Sequence, residues 1–173
     1  MVNYSKIQLF MKPVFLAVLF LCATRSSTAQ LKPHGSCPEL AVDILNGTIN
    51  GLKANATGEE FKGTVACSTG YDSAKCGGAI LYYKDKDVTF YSKRNYFEIG
   101  PKFKGKMSMV VLGTPRNALF KYFGNPKVKD ALWDAFETQY GTLVLHYTVA
   151  GPGGKVKLIQ MSTLGTDDLS LCE

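Results

Sequence analysis

The sequence contains few residues that could carry catalysis. It has only two histidines, His34 and His146, and one tryptophan, Trp133. No Gly-x-Ser-x-Gly motif accompanies either histidine. The glycine-rich stretches at 76–78 and 151–154 lack the Gly-x-x-x-x-Gly-Lys-Ser/Thr spacing and the following helix that a phosphate-binding loop needs. The sequence therefore predicts a protein without enzymatic activity and without a cofactor.

Long hydrophobic runs are also absent. The apolar run near the start of the chain, residues 14–23, has ten residues, whereas a membrane-spanning helix needs about 20. Two lysines precede this run, and the small residues Ser27-Thr28-Ala29 follow it. This is the arrangement of a signal peptide with cleavage after Ala29. We therefore expect residues 1–29 to be removed, and residues 30–173 to form a single secreted domain without a membrane span.

The sequence has no Cys-x-x-Cys pair, and this absence argues against a zinc site. Four cysteines follow the predicted signal peptide, and an even number in an exported chain predicts two disulfides with three possible pairings. We favour Cys67–Cys76, which closes a short loop of turn-forming residues, and Cys37–Cys172, which ties the start of the fold to its end.

Two sequons predict N-glycosylation of the secreted chain. They are Asn46-Gly47-Thr48 and Asn55-Ala56-Thr57. The predicted modification sites are therefore Asn46 and Asn55, because Asn-x-Ser/Thr is the acceptor motif for N-glycosylation in secreted proteins.

Positive charge is concentrated in one segment. The mature chain would have 17 basic and 14 acidic residues, a mild excess that does not indicate nucleic-acid binding. Residues 82–106 contain seven basic and three acidic residues, interleaved with aromatic ones. This pattern is typical of a sheet with solvated lysine edges, or of a surface for polyanions such as sulfated glycans. The candidate polyanion contacts are Lys93, Arg94, Lys102, Lys104 and Lys106.

Hydrophobic periodicity predicts two helices and a set of strands. The first helix is expected to begin at Ser36–Glu39 and end within 55–58, and the second to extend from Asn125 to Gly141, with a short helical turn at 116–123. The predicted strands are 61–68, 79–83, 88–92, 96–99, 106–112, 142–149 and 155–161. This order predicts an α+β fold: a mainly antiparallel sheet with two helices packed on one face, stapled by disulfides.

Three motifs resemble a family of small excretory-secretory proteins of parasitic nematodes, the secreted clade V proteins. They are Cys37-Pro-Glu-Leu-Ala-Val-Asp-Ile-Leu-Asn46, Phe61-Lys-Gly-Thr-Val-Ala-Cys67 and Lys75-Cys-Gly-Gly78. The resemblance implies an exported, disulfide-bonded, non-enzymatic protein that meets host tissue. It implies no catalytic residues.

Two functions are compatible with these observations. The first is a secreted binding or effector protein that acts on a host or extracellular macromolecule through its surface. The alternative is a carrier that holds a small hydrophobic ligand in a cavity lined by the many aromatic residues. A closed apolar cavity would favour the carrier, and a filled core with a charged or apolar surface patch would favour the binding protein.

Overall fold

The computed structural model describes residues 39–65, 67, 70–73, 79–83 and 86–171, with the side chains of 71–73 and 79–82 left undescribed. All of these residues belong to one compact unit, Cys37–Glu173. In this part of the chain there are two helices, α1 (Gly58–Thr64) and α2 (Arg116–Phe123). The strands are β1 (Ala41–Asp43), β2 (Thr48–Ile49), β3 (Leu52–Lys53), β4 (Gly70–Ser73), β5 (Ala79–Tyr83), β6 (Val88–Tyr91), β7 (Tyr96–Ile99), β8 (Lys106–Met107), β9 (Val128–Lys129), β10 (Trp133–Thr138), β11 (Gly141–Tyr147) and β12 (Val156–Ser162).

Eight strands form a large antiparallel sheet in the order β4-β5-β6-β7-β12-β11-β10-β9. Most neighbours in this sheet are consecutive in the chain and are joined by short turns. The exception is β12, which pairs with β7 so that Ile159 lies opposite Ile99. The last strand of the chain therefore lies in the middle of the sheet and joins its two halves.

One face of the large sheet carries the hydrophobic core. A row of five side chains crosses five neighbouring strands in register. Each of the five is at most 1% exposed. The row consists of Phe90, Phe97, Met161, Leu143 and Phe136. Because side chains alternate between the two faces of a strand, this register also determines which residues face the opposite side.

Both helices pack on the face that carries this row. In α1, Phe61 stacks on Phe90 with the ring centroids 4.6 Å apart and lies 5.6 Å from Phe97. In α2, Phe123 lies 5.4 Å from Phe136. The fold is therefore α+β with a mainly antiparallel sheet, which confirms the predicted class. The two helices on the sheet are α1 and α2, and neither is one of the two long helices that the sequence predicts.

A small sheet covers another part of the same core. Its strand order is β3-β2-β1-β8, and β1 with β8 is the one parallel pair among the described strands. Leu40, Val42 and Ile44 alternate with more exposed residues, and each is at most 2% exposed. This period of two places the apolar residues of β1 on the core side and the polar ones outside.

The helix predicted to begin at Ser36–Glu39 is wrong over its described residues, which form β1 to β3. Asn50 and Gly51 form the two-residue turn between β2 and β3, with φ of 49° and 81°. Two positive φ values are typical of the type I′ turn that an Asn-Gly pair favours. Gly47 also has a positive φ, and a Cβ there would lie 2.3 Å from the ring of Tyr140. These glycines are turn residues rather than weak points in a helix.

The strand predicted for 61–68 is also wrong, because α1 occupies most of its described residues. Thr57 and Glu60 form a capping box: Glu60 N donates to Thr57 Oγ1 at 3.2 Å, and Thr57 N donates to Glu60 Oε2 at 2.8 Å. These bonds lower the pKa of Glu60 below its usual value. The strand predicted for 106–112 is shorter in the structure and consists only of β8.

The helix predicted for 125–141 is wrong as well, since β9, β10 and the start of β11 replace it. The apolar residues there also fit a strand, in which Asp134 and Phe136 face the core. Six cross-strand pairs between β10 and β11 outweigh the helical spacing. The turn before β11 ends at Gly141, where φ is 140°. A Cβ at this position would lie 2.3 Å from Ser162 O, so the close approach of the two backbones requires glycine.

The remaining predicted elements are confirmed. The hairpin at 79–83 and 88–92 corresponds to β5 and β6, and the strand at 96–99 to β7. The helical turn at 116–123 is α2, and the second hairpin is β11 with β12.

Candidate functional site

Three of the predicted polyanion contacts lie together on the segment that follows β7. We call this the lysine segment; it consists of Lys102, Lys104 and Lys106. Exposure alternates along it, so that the lysines are exposed while the residues between them are half-buried. Of the intervening residues, Phe103 packs against the hydrophobic core. The three lysines are therefore open to solvent, although a turn closed by Phe103 N donating to Gly100 O at 3.2 Å and a bend at Gly105 interrupt the extended backbone between them.

The start of the lysine segment is held by the turn between β5 and β6. Lys102 N donates to Asp87 Oδ2 at 2.6 Å, and Gly100 N donates to Asp87 O at 2.8 Å. A Cβ on Gly100 would lie only 2.4 Å from the Asp87 carboxylate. This close approach requires glycine, and it fixes the backbone from which the lysines project.

The end of the segment carries an ion pair. Lys106 Nζ lies 2.8 Å from Glu39 Oε2, and both side chains are more than half exposed. The hydrogen bond to Glu39 raises the pKa of Lys106 above its usual value. Because solvent screens an exposed pair of this kind, it contributes little to stability, so an incoming anion can compete with Glu39 for the lysine.

The other two predicted contacts, Lys93 and Arg94, lie elsewhere. They belong to the turn between β6 and β7, whereas the lysine segment begins beyond the opposite end of β7. Four strand residues separate the two groups by about 13 Å. Arg94 is also occupied, because it donates to Ser170 O and Ser170 Oγ. The structure therefore does not bring the five cations into one patch.

A shallow hollow of about 480 Å³ lies on the outer side of the small sheet. Lys106 borders it, together with Asp43 and Ser108. Asp43 accepts hydrogen bonds from the side chain of Asn46 and from the backbone N–H groups of Leu45 and Asn46. These bonds lower the pKa of Asp43 below its usual value.

A ladder of polar side chains crosses the face of the large sheet opposite the core. Tyr91 OH donates to Glu98 at 3.1 Å, Gln160 Nε2 donates to Glu98 at 2.8 Å, and Gln160 Oε1 lies 2.8 Å from His146 Nε2. Because the amide of Gln160 is oriented by the accepting carboxylate, His146 must donate through Nε2. Burial, with the neighbouring charge of Glu98, raises the pKa of Tyr91 above its usual value.

Of these ladder residues, the sequence singles out only His146, which no recognisable catalytic motif accompanies. The pairing of Gln160 with Glu98 depends on the contact between β12 and β7, which are far apart in the chain. No local pattern predicts that contact. The ladder satisfies its own polar groups, so it accounts for a half-buried histidine without assigning it a catalytic role.

A buried ion pair joins α2 to the edge of the large sheet. Arg116 Nε donates to Asp134 Oδ2 at 2.9 Å, and the same guanidinium donates to Asp130 O and Ala131 O at 2.7 and 3.1 Å. Tyr147 OH donates to Asp134 Oδ2 at 2.8 Å, and its ring lies 4.7 Å below the guanidinium. The bond to Asp134 raises the pKa of Arg116.

Sequence analysis missed this pair because it placed Asp134 on the polar face of a helix. Arg116 is 4% exposed and Asp134 is fully buried. The alternation within β10, with Asp134 two residues before the buried Phe136, is a signal that would have placed the carboxylate inside. The cluster is fully hydrogen-bonded and stabilises the fold rather than forming an open site.

Both predicted glycosylation sites are exposed. Asn46 lies in the turn between β1 and β2, where Nδ2 donates to Asp43 Oδ2 at 2.8 Å. Asn55 lies two residues before the capping residue Thr57. Their exposure is compatible with an attached glycan, and occupancy stays a prediction.

Of the predicted disulfide residues, only Cys67 is described, and it is disulfide-bonded. The other three, Cys37, Cys76 and Cys172, lie outside the described residues. The pairings Cys67–Cys76 and Cys37–Cys172 therefore stay predictions.

Peptide mapping without reduction is expected to recover both predicted disulfides and no free thiol. The reason is the even number of cysteines that remain after signal-peptide removal. A stoichiometric free thiol, or zinc in the purified protein, would overturn this expectation.

The described residues contain no group of three or more His, Cys, Asp or Glu side chains that could hold a metal ion. Among the same residues, no helix is long and apolar enough to cross a membrane. Comparison of the chain with protein-family models, with curated proteins and with solved structures finds no match.

Proposed function

We propose that this chain is a secreted, non-enzymatic effector that binds a host or extracellular macromolecule through its surface, and that the lysine segment contacts the partner. The observation that carries the proposal is the exposure of three cations, Lys102, Lys104 and Lys106, within five residues of the chain. Exposed cations this close together in the chain suit a polyanion such as a sulfated glycan, or an acidic protein.

The filling of the core supports a binding surface over a ligand cavity. Phe61, Phe90 and Phe97 are in mutual contact with centroids 4.6 to 5.6 Å apart, and Tyr83 lies 5.7 Å from Phe61. Tyr83 OH donates to Val65 O at 2.7 Å, and burial raises the pKa of Tyr83 to about 12. Rings that touch one another fill the space between α1 and the described side chains of β5, β6 and β7.

Export is part of the proposal. It is supported by the signal-peptide pattern and by the motifs that resemble the secreted clade V proteins of parasitic nematodes. An extracellular location would bring the lysine segment into contact with sulfated glycans and with host proteins.

Replacing Lys102, Lys104 and Lys106 together with glutamine is expected to lower the salt concentration needed for elution from a heparin column. The three side chains are exposed, and charge attraction to sulfates is screened beyond about 10 Å at 0.1 M salt. Binding should therefore be weak and largely lost near physiological ionic strength.

The matched control is Lys93→Gln with Arg94→Gln, which removes two cations at the other end of β7. This variant is expected to elute closer to the wild-type protein than the triple variant does. Unchanged elution of the triple variant would mean that the lysines only solvate the edge of the sheet.

A further inference from the structure

The strand in the lysine segment has one unpaired side. Lys106 N donates to Leu40 O at 2.8 Å, and Ser108 N donates to Val42 O at 2.9 Å, so these residues use their backbone groups toward β1. The backbone N–H and C=O groups of successive residues in an extended strand point to opposite sides. Those of Met107 therefore point away from β1.

Within the described part of the chain, this side is a short open edge of the small sheet, because the two-residue strand β8 is the last in the order β3-β2-β1-β8. Among the described residues, no backbone hydrogen bond is donated by Gly105, Met107 or Met109. An edge of this kind is a template for another extended chain, which would add main-chain hydrogen bonds along it.

The charge along the edge selects what can pair with it. A second copy of the same strand would bring its own lysines opposite Lys104 and Lys106, and like charges directly across a strand pair are destabilising. An acidic strand would instead place carboxylates opposite the lysines. Val110, which is 80% exposed just beyond this edge, offers an apolar contact to such a strand.

We propose that the open edge of β8 binds an extended acidic peptide segment of the partner protein by strand addition. The inference rests on the proposed function, since it uses the same lysines, and it narrows the partner from any polyanion to a peptide backbone that carries acidic side chains. The main chain of the peptide would pair with the edge, and its carboxylates would compete with Glu39 for Lys106.

The test is a binding titration with a short, capped, fluorescently labelled peptide in which valine and glutamate alternate. A second peptide has the same sequence but is N-methylated at alternate backbone amides, which keeps the charge and removes the donors that strand addition needs. We expect the methylated peptide to bind about tenfold or more weakly, as for the loss of two net hydrogen bonds.

Protein variants separate the contribution of charge. The triple change of Lys102, Lys104 and Lys106 to glutamine is expected to weaken peptide binding by about tenfold at low salt. Lys121→Gln with Lys129→Gln is the matched control, because these lysines lie on α2 and β9, at the far edge of the large sheet. This control is expected to bind the peptide as the wild-type protein does.

The outcomes distinguish this inference from the proposed function. Equal affinity for the methylated and unmethylated peptides, or binding of heparin without binding of the peptide, would overturn strand addition and leave a polyanion surface. A wild-type dimer in analytical ultracentrifugation that the triple variant tightens, as removal of the lysine repulsion would predict, would show that a second copy takes the edge and would overturn the acidic peptide. Failure to bind heparin and both peptides would overturn both proposals.

Discussion

Replacing Arg116 with alanine is expected to destabilise the protein by about 3–5 kcal/mol, because it leaves the buried carboxylate of Asp134 without its cation. The guanidinium also donates hydrogen bonds to two backbone carbonyls in the turn before β10. Its loss would therefore release α2 from the sheet edge. Chemical denaturation followed by circular dichroism measures the change in the free energy of unfolding.

The double variant Arg116→Met with Asp134→Leu serves as the internal comparison. Removing both charges and filling the space with apolar side chains is expected to cost less than the single change. Arg94→Ala, at a half-buried arginine that also donates to a backbone carbonyl, is expected to cost clearly less than Arg116→Ala. An Arg116→Ala protein as stable as the Arg94→Ala protein would show that the buried pair is not what holds α2 in place.

Replacing Phe61 with alanine is expected to destabilise the fold by about 3–5 kcal/mol. Phe61 is fully buried and is the residue through which α1 contacts the aromatic rings of β5, β6 and β7. Removing the ring would open a cavity and detach the helix from the sheet. The same denaturation experiment measures the effect.

Two comparisons make this prediction specific. Phe61→Leu preserves most of the apolar volume and is expected to cost clearly less than the alanine variant. Tyr122→Ala truncates an aromatic residue that is 56% exposed on α2, and should change stability by less than about 1 kcal/mol. A Phe61→Ala protein that unfolds at the same denaturant concentration as Tyr122→Ala would contradict the packing described above.

Elements with a local signal were predicted well. The hairpin of β5 and β6 has two β-rich runs around a short polar loop, and β11 with β12 has a glycine-rich turn between alternating strands. The exposure of Lys102, Lys104 and Lys106 also follows from sequence, since lysine is almost never fully buried unless it is paired.

Two of the three wrong elements carried a local signal that the hydrophobic spacing obscured. Asn50-Gly51 is the sequence signature of a two-residue hairpin turn, and Thr57 with Glu60 is that of a helix start. In both places short apolar runs fitted a helix and a strand about equally well, and the turn and cap residues were the better guide.

The third wrong element shows what the tertiary structure alone decided. The apolar residues between Asn125 and Gly141 fit a helix by spacing, but β10 gains six cross-strand partners in β11 and buries Asp134 against Arg116. The six pairs lie within one hairpin, but the place of β10 in the large sheet and the contact of Asp134 with Arg116, 18 residues away, depend on tertiary packing that spacing alone does not show.

The sequence by itself determined the fold class, the lack of a recognisable catalytic motif and the positions of the charged and modifiable residues, because these depend on residue type and short-range spacing. Only the tertiary structure decided that β12 lies beside β7, that Lys93 and Arg94 are separated from the lysine segment, and that β8 ends the small sheet with an open edge. The physical reason is that strand pairing is a long-range choice, set by which faces can be buried together.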